Sequence, residues 1–116
     1  MKPYIHAQSS ARKFGGKPED YLPIHQFMDS SKAHVADHRH RAILHSSFGC
    51  FIVEQVFGVV AKNSAGQDYF PRDIAEQHCI EDLGRIPTVQ DYFESFMMQP
   101  WMGGPVRKEK VIKIED

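Results

Sequence analysis

The sequence predicts a small α+β domain, mainly α, with one β-hairpin set between a long central helix and the C-terminal helices. Three observations carry that expectation. Arg41, His45, Phe48, Ile52 and Val56 recur at helical spacing, as do Ala75, Cys79 and Leu83. The turn-forming run Asn63, Ser64, Ala65, Gly66 separates two short segments that can pair as strands. Pro71, Gly84 and Pro87 punctuate the remainder into helix-length pieces.

Taken in order, residues 1–19 are rich in Ser, Gly and Lys and contain Gly15, Gly16 and Pro18, so an extended surface arm is expected. Pro23 can occupy the first turn of a short helix that runs to Met28 and stops at the polar cluster Asp29, Ser30, Ser31. Asp37 is the expected N-cap of the central helix, which continues to Phe57 with Gly58 as its stop. Val59 to Lys62 and Gln67 to Phe70 form the hairpin. Asp73 with Glu76 resembles a capping box and opens a helix through Leu83, with His78 and Asp82 sharing one stripe at i and i+4. Thr88 with Asp91 opens a last helix through Met97 or Met98, and Trp101 is expected to anchor the turn that follows. The division is thus one His-rich domain over 1–105 and a charged tail over 106–116, where Val111, Ile112 and Ile114 suit either an edge strand or disorder.

Composition narrows the function classes. With 41% hydrophobic and 25% charged residues, the 116-residue chain can bury a core without staples. A net charge of -1 disfavours a broad nucleic-acid footprint. Cys50 and Cys79 sit in apolar contexts without CxxC spacing and read as small buried hydrophobes of a reducing compartment. The N-terminus has no apolar signal core, and the apolar run from Phe48 to Ala61 is too short to span a bilayer. A cytoplasmic, membrane-free protein is expected. Walker, Rossmann, nucleophile-elbow and Cys-based zinc motifs are missing, as is the adjacent His-Asp pair of HD phosphohydrolases.

The densest chemical signal is histidine. Five of seven, His25, His34, His38, His40 and His45, fall in one stretch among Asp29, Asp37, Arg39 and Arg41. Imidazole is the commonest metal-binding side chain, so a metal site is expected. His40 and His45 are five residues apart, about 140° around an ideal helix, and would need a bend or frayed end to share an ion. One helix cannot surround an ion, so His78 and His25 from other elements are added. Asp29, Glu54, Glu76 and Asp82 are the carboxylates at hand. The best set is His40, His45 and His78, then His25, with Asp82 the preferred carboxylate and zinc the preferred metal. His38 reads as solvated and His6 as incidental on a flexible arm. The Phe and Met positions Phe27, Met28, Phe48, Phe51, Phe57, Phe93, Phe96 and Met97 read as core or as a homodimer face.

The blocks HQFMDSSK, HRHRAILHSSFG, EQVFG, RDIAEQH, EDLGRIPTVQDYF and PWMGG together resemble a family of small uncharacterised proteins of bacteria and their phages, over roughly residues 3–105. That resemblance implies an intact domain and assigns no reaction. Locally, HRAILHS, from His40 to Ser46, is similar to the HRxxTHS signature of membrane-bound metal-dependent hydrolases, which implies His40 and His45 as metal ligands. Leu44 replaces the threonine of that signature.

Two functions compete on this reading. In the first, a metal-bound hydroxide attacks a phosphoester, with Asp82 or Glu76 as base and Arg39 or Arg41 holding the phosphate of a small molecule, a ligand that Arg72 would also suit. In the second, the histidines and carboxylates build a structural metal site or buried polar network in a non-enzymatic module that binds another protein. A nucleic-acid accessory role, resting on Lys2, Arg12, Lys13, Lys17 and the basic tail, ranks third.

Overall fold

A computed structural model describes residues 1–103 of the chain. Six α-helices and one two-stranded antiparallel hairpin appear in the order α1 (Pro3–Phe14), α2 (Pro18–Met28), α3 (Arg41–Leu44), α4 (Ser47–Phe57), β1 (Ala61–Lys62), β2 (Asp68–Tyr69), α5 (Pro71–Leu83) and α6 (Val89–Phe93). Short 3-10 turns occupy Ser30–Ala33, His38–His40 and Pro100–Met102. The expected mainly helical α+β domain, with its hairpin between the central and C-terminal helices, is what the structure shows. No helix among the described residues is long and apolar enough to cross a membrane.

The N-terminal segment is not an extended arm. Pro3 stands at the first helical turn of α1, where its missing N–H costs nothing, and Arg12 and Lys13 sit in the last turn, where cations are favoured. The face that α1 buries is His6, Ala7, Ser9 and Ser10, mostly polar, which is why no apolar periodicity announces it. Gly15 and Gly16 then turn the chain with φ of 86° and 74°, values an L-residue rarely adopts. The carboxylate of Asp20 receives the Lys17 N–H at 2.7 Å, so α2 starts at Pro18, five residues earlier than expected, and Pro23 lies inside it.

The central helix is broken. Asp37 does cap, accepting the Arg39 N–H at 2.9 Å, but what it caps is the short turn His38–His40. α3 then ends at Leu44, His45 leaves helical geometry with φ -84° and ψ 64°, and Ser46 caps α4 by accepting the Gly49 N–H at 3.1 Å. Two features hold this corner. A Cβ on Gly49 would overlap the Leu44 carbonyl oxygen, so only glycine fits there. The Tyr92 hydroxyl donates to the His45 carbonyl at 2.7 Å. The break resets the helical face, leaving Phe48 and Val56 exposed while Gly49, Cys50 and Val53 are buried.

The hairpin pairs Ala61 with Tyr69 and Lys62 with Asp68. Asn63 ties it to the α1–α2 turn by donating to the Phe14 carbonyl at 3.3 Å and the Tyr21 hydroxyl at 3.2 Å. α5 begins at Pro71, with Asp73 in its first turn rather than as its cap, and closes on Gly84 in the left-handed conformation. The Thr88–Asp91 capping box is present, but α6 ends at Phe93. Trp101 is 72% exposed and anchors nothing among the described residues. The suggested strand at 111–114 lies outside them.

α5 packs against α4, α2 and α1, and Tyr21, Ile24, Met28, Val53, Ile74, Ala75 and Cys79 form the apolar core around it. Cys50 and Cys79 are buried free thiols with Sγ atoms 4.0 Å apart. Phe27 and Phe57 pack partly against the core, whereas Phe51, Phe93, Phe96 and Met97 are exposed.

Candidate metal centre

One face of α5 does not continue the apolar core. His78 and Asp82, one helical turn apart, point together toward the end of α2, where Asp29 stops the helix, and toward the corner where His45 interrupts α3 and α4. Both imidazoles are fully buried, Asp29 is 8% exposed and the Asp82 side chain 3%. Nε2 of His45 lies 3.1 Å from Oδ2 of Asp82 and 3.5 Å from Oδ1 of Asp29. Nε2 of His78 lies 3.2 Å from each of the same two oxygens. One donor atom from each of the four residues fits within a 4.8 Å span.

The electrostatics suit a cation. Burial drives the His45 imidazole down to about 4, the neighbouring His78 adding to the effect, so it is neutral at pH 7. Burial pushes the Asp82 carboxyl up, yet the charges of His78 and His6 and the bond from His45 outweigh it and bring it down to about 2. Asp29 is likewise held below the usual carboxylate range: burial opposes this, but the bond and charge of His78 prevail. Two ionised carboxylates thus face a buried neutral imidazole. Oδ2 of Asp29 and Nδ1 of His45 are buried with no hydrogen-bond partner among the described residues, a costly condition that a cation beside Asp29 would ease for the carboxylate.

Behind His78 runs a hydrogen-bonded chain. Nδ1 of His78 lies 2.9 Å from Nδ1 of His25, Nε2 of His25 lies 2.8 Å from Oγ of Ser10, and that hydroxyl reaches Oε1 of Gln77 at 2.9 Å and the His6 carbonyl at 3.1 Å. Two proton arrangements satisfy it. In one, Ser10 donates to His25, His25 to His78, and His78 donates from Nε2 to a carboxylate. In the other, His78 donates from Nδ1 to His25, His25 donates to Ser10, and Ser10 donates to Gln77. The second leaves the Nε2 lone pair of His78 bare for a metal, with its other nitrogen anchored as in metal-bound histidines. Burial brings His25 down to about 3, so it remains the neutral relay this scheme needs.

His6 is not incidental. It is fully buried on α1, with Nδ1 2.7 Å from Oε1 of Glu81 and Nε2 3.1 Å from Oδ1 of Asp82. Its ring stacks on His78 at a centroid distance of 3.9 Å and an angle of 29°. Imidazole lone pairs lie in the ring plane, so stacked His6 and His78 cannot aim at one ion, although atoms of His6, His25 and His78 also fall close together. The sequence signal that could have found His6 was Pro3 as a helix start, with Ser9 and Ser10 following at i+3 and i+4.

The remaining expected residues lie as follows. His40 is buried but bonded through Nδ1 to the Ser31 hydroxyl at 3.0 Å, its ring perpendicular to His45 at 5.5 Å, and it belongs to neither close group. Glu76 is half-buried near the Cys50–Cys79 pair and belongs to neither close group. Arg39 is exposed and paired with Asp37 at 2.7 Å. Arg41 is half-buried, and its Nε has no partner among the described residues. Arg72 pairs with Glu54 at 3.0 Å and lies over the Phe51 ring. His34 and His38 are exposed. Surface cavities lined by His34, Asp37, Arg39 and Ile43, and by Leu83, Arg85, Pro87 and Tyr92, do not include any of the four clustered residues.

A family model for a domain of unknown function, DUF6915, matches residues 1–102. No curated protein and no solved structure is significantly similar to the chain.

Proposed function

Since the chain belongs to the DUF6915 family, whose description carries no activity, its role is read from the site, and we propose that it is a metal-binding protein holding one divalent transition-metal ion between Asp29, His45, His78 and Asp82. The observation that carries this reading is the set of four N···O separations, 3.1, 3.2, 3.2 and 3.5 Å. A tetrahedral ion with ligands at about 2.0–2.1 Å requires its donors to stand about 3.3–3.4 Å apart. Four of the six edges of such a tetrahedron thus already lie close to the length that the ion needs. Zinc is the closest match, because two imidazoles with two carboxylates suit it better than calcium or magnesium, which prefer six or more oxygens.

With four protein donors the ion has no open position. It is fitted to lock α2, the α3–α4 corner and α5 together rather than to activate water. This favours a structural role for that ion, with phosphoester hydrolysis requiring a further coordination site. Elemental analysis of untagged protein tests the reading: at least one equivalent of zinc or a similar metal is expected in the wild type, and one fewer in His45→Ala or His78→Ala. Wild-type protein that is folded, metal-free and indifferent to added zinc would overturn it.

A further inference from the structure

Asp82 has a second oxygen. Oδ2 faces the four-residue cluster, whereas Oδ1 faces the other way, 3.1 Å from Nε2 of His6. His6 is dressed as metal-bound histidines are. Its Nδ1 sits 2.7 Å from the Glu81 carboxylate, and Glu81 is itself held by the Ser9 hydroxyl and by Nε2 of Gln77 at 3.1 Å. A carboxylate at Nδ1 keeps the proton there and leaves the Nε2 lone pair directed at Oδ1 of Asp82. This side of Asp82 is also the one nearer solvent, because the α-amine of the exposed Met1 lies 3.3 Å from the same oxygen.

We propose that a second divalent metal ion binds between Nε2 of His6 and Oδ1 of Asp82, that the Asp82 carboxylate bridges the two ions, and that the pair forms a hydrolytic centre for phosphate esters. The proposal rests on the single-ion reading above, since without an ion at Oδ2 the Asp82 carboxylate is only the ion-pair partner of its histidines. The two ions divide the work by coordination. The first has four protein donors and is closed. The second has two, which leaves positions for a water and for an oxygen of the substrate. An ion there displaces the Met1 ammonium from Oδ1. Water bound to it loses a proton to solvent near neutral pH, the resulting hydroxide attacks phosphorus, the ester P–O bond breaks, and the leaving alkoxide takes up a proton from solvent, so that ester and water give phosphate and alcohol. His6 and Asp82 are ligands in this scheme, and Glu81 is a positioning residue.

Cobalt(II) titration of untagged, metal-free protein separates the two readings, with hydrolysis of bis(p-nitrophenyl) phosphate followed in the same samples. The wild type is expected to take up two equivalents, the first giving the intense visible band of tetrahedral cobalt, the second a weaker band accompanied by hydrolysis. His6→Gln should keep the first band, which also reports that the variant is folded, and lose the second equivalent and the hydrolysis. Glu81→Gln should weaken the second equivalent by about 10–100-fold and leave the first unchanged. Saturation of the wild type at one equivalent, with the tetrahedral band intact, overturns the second site and leaves the first standing. No tetrahedral band at all overturns both. Two equivalents without hydrolysis overturn the catalytic part.

Discussion

Nδ1 of His25 lies 2.9 Å from Nδ1 of His78, a contact that holds one proton and therefore ties the tautomers of the two rings together. His25, expected from the sequence as a ligand, stands behind the proposed ligand His78, and its tautomer is coupled to which nitrogen of His78 is free. Replacing it by Ala should therefore lower zinc affinity by about 10–100-fold without changing stoichiometry at saturating metal. Ser10→Ala, one step further along the chain, should weaken binding less. Competition titration against a chromophoric chelator measures both. Equal affinity in His25→Ala and the wild type would remove His25 from the site.

Metal binding should stabilise the fold, because the four donors come from α2, the α3–α4 corner and α5. Free zinc at 100 times its dissociation constant adds about 2.7 kcal/mol. For a domain of this size that raises Tm by about 10–20 °C. Asp82→Ala should abolish the zinc-dependent rise, and a thermal melt with and without zinc reads it.

The metal-free protein should lose stability in mild acid. His25 and His45 have ordinary values of 6.5 that burial brings to about 3 and about 4 in the folded state. Below pH 6.5 the unfolded chain therefore binds protons that the folded chain refuses. Stability falls from there down to pH 4, by up to about 1.4 kcal/mol per pH unit for each histidine. Asp82, depressed to about 2, contributes in the next window, since its stabilisation is present above pH 3.8 and is lost between there and about pH 2. Urea melts of chelator-treated protein at pH 7, 6 and 5 test the histidine part, and flat stability across that range would contradict it.

The chain break at His45 depends on Gly49. A Cβ there overlaps the Leu44 carbonyl, so Gly49→Ala must push the corner open. A loss of about 1–3 kcal/mol is expected, as for overpacking elsewhere, together with weakened zinc binding because the displaced peptide carries His45. Tyr92→Phe, which removes the 2.7 Å bond to the His45 carbonyl, should cost about 0.5–1.5 kcal/mol. Denaturant titration measures both, and an unaffected Gly49→Ala would show that the corner is not as tight as described.

What the sequence made legible was local. His78 and Asp82 lie at i and i+4 on a helix bounded by Pro71 and Gly84, so their shared direction follows from helical geometry alone. Two things were hidden. The break between α3 and α4 carries no proline, only a serine able to cap and a glycine required by a contact five residues back, and the helically spaced row Arg41, His45, Phe48, Ile52 and Val56 runs across it. The α1 helix buries histidine and serines in place of most aliphatic side chains, so its period is polar and the segment around His6 reads as a loose arm. His40 is favoured in the sequence by the HRAILHS stretch, whose likeness to HRxxTHS implies both of its histidines as ligands. The corner turns it instead toward Ser31.

The most direct measurement is anomalous diffraction from crystals grown with zinc, with data on both sides of the zinc absorption edge. A strong peak is expected about 2 Å from Nε2 of His45, Nε2 of His78 and the facing oxygens of Asp29 and Asp82. Peaks confined to the exposed His34 and His38, or no peak inside the molecule, would contradict it.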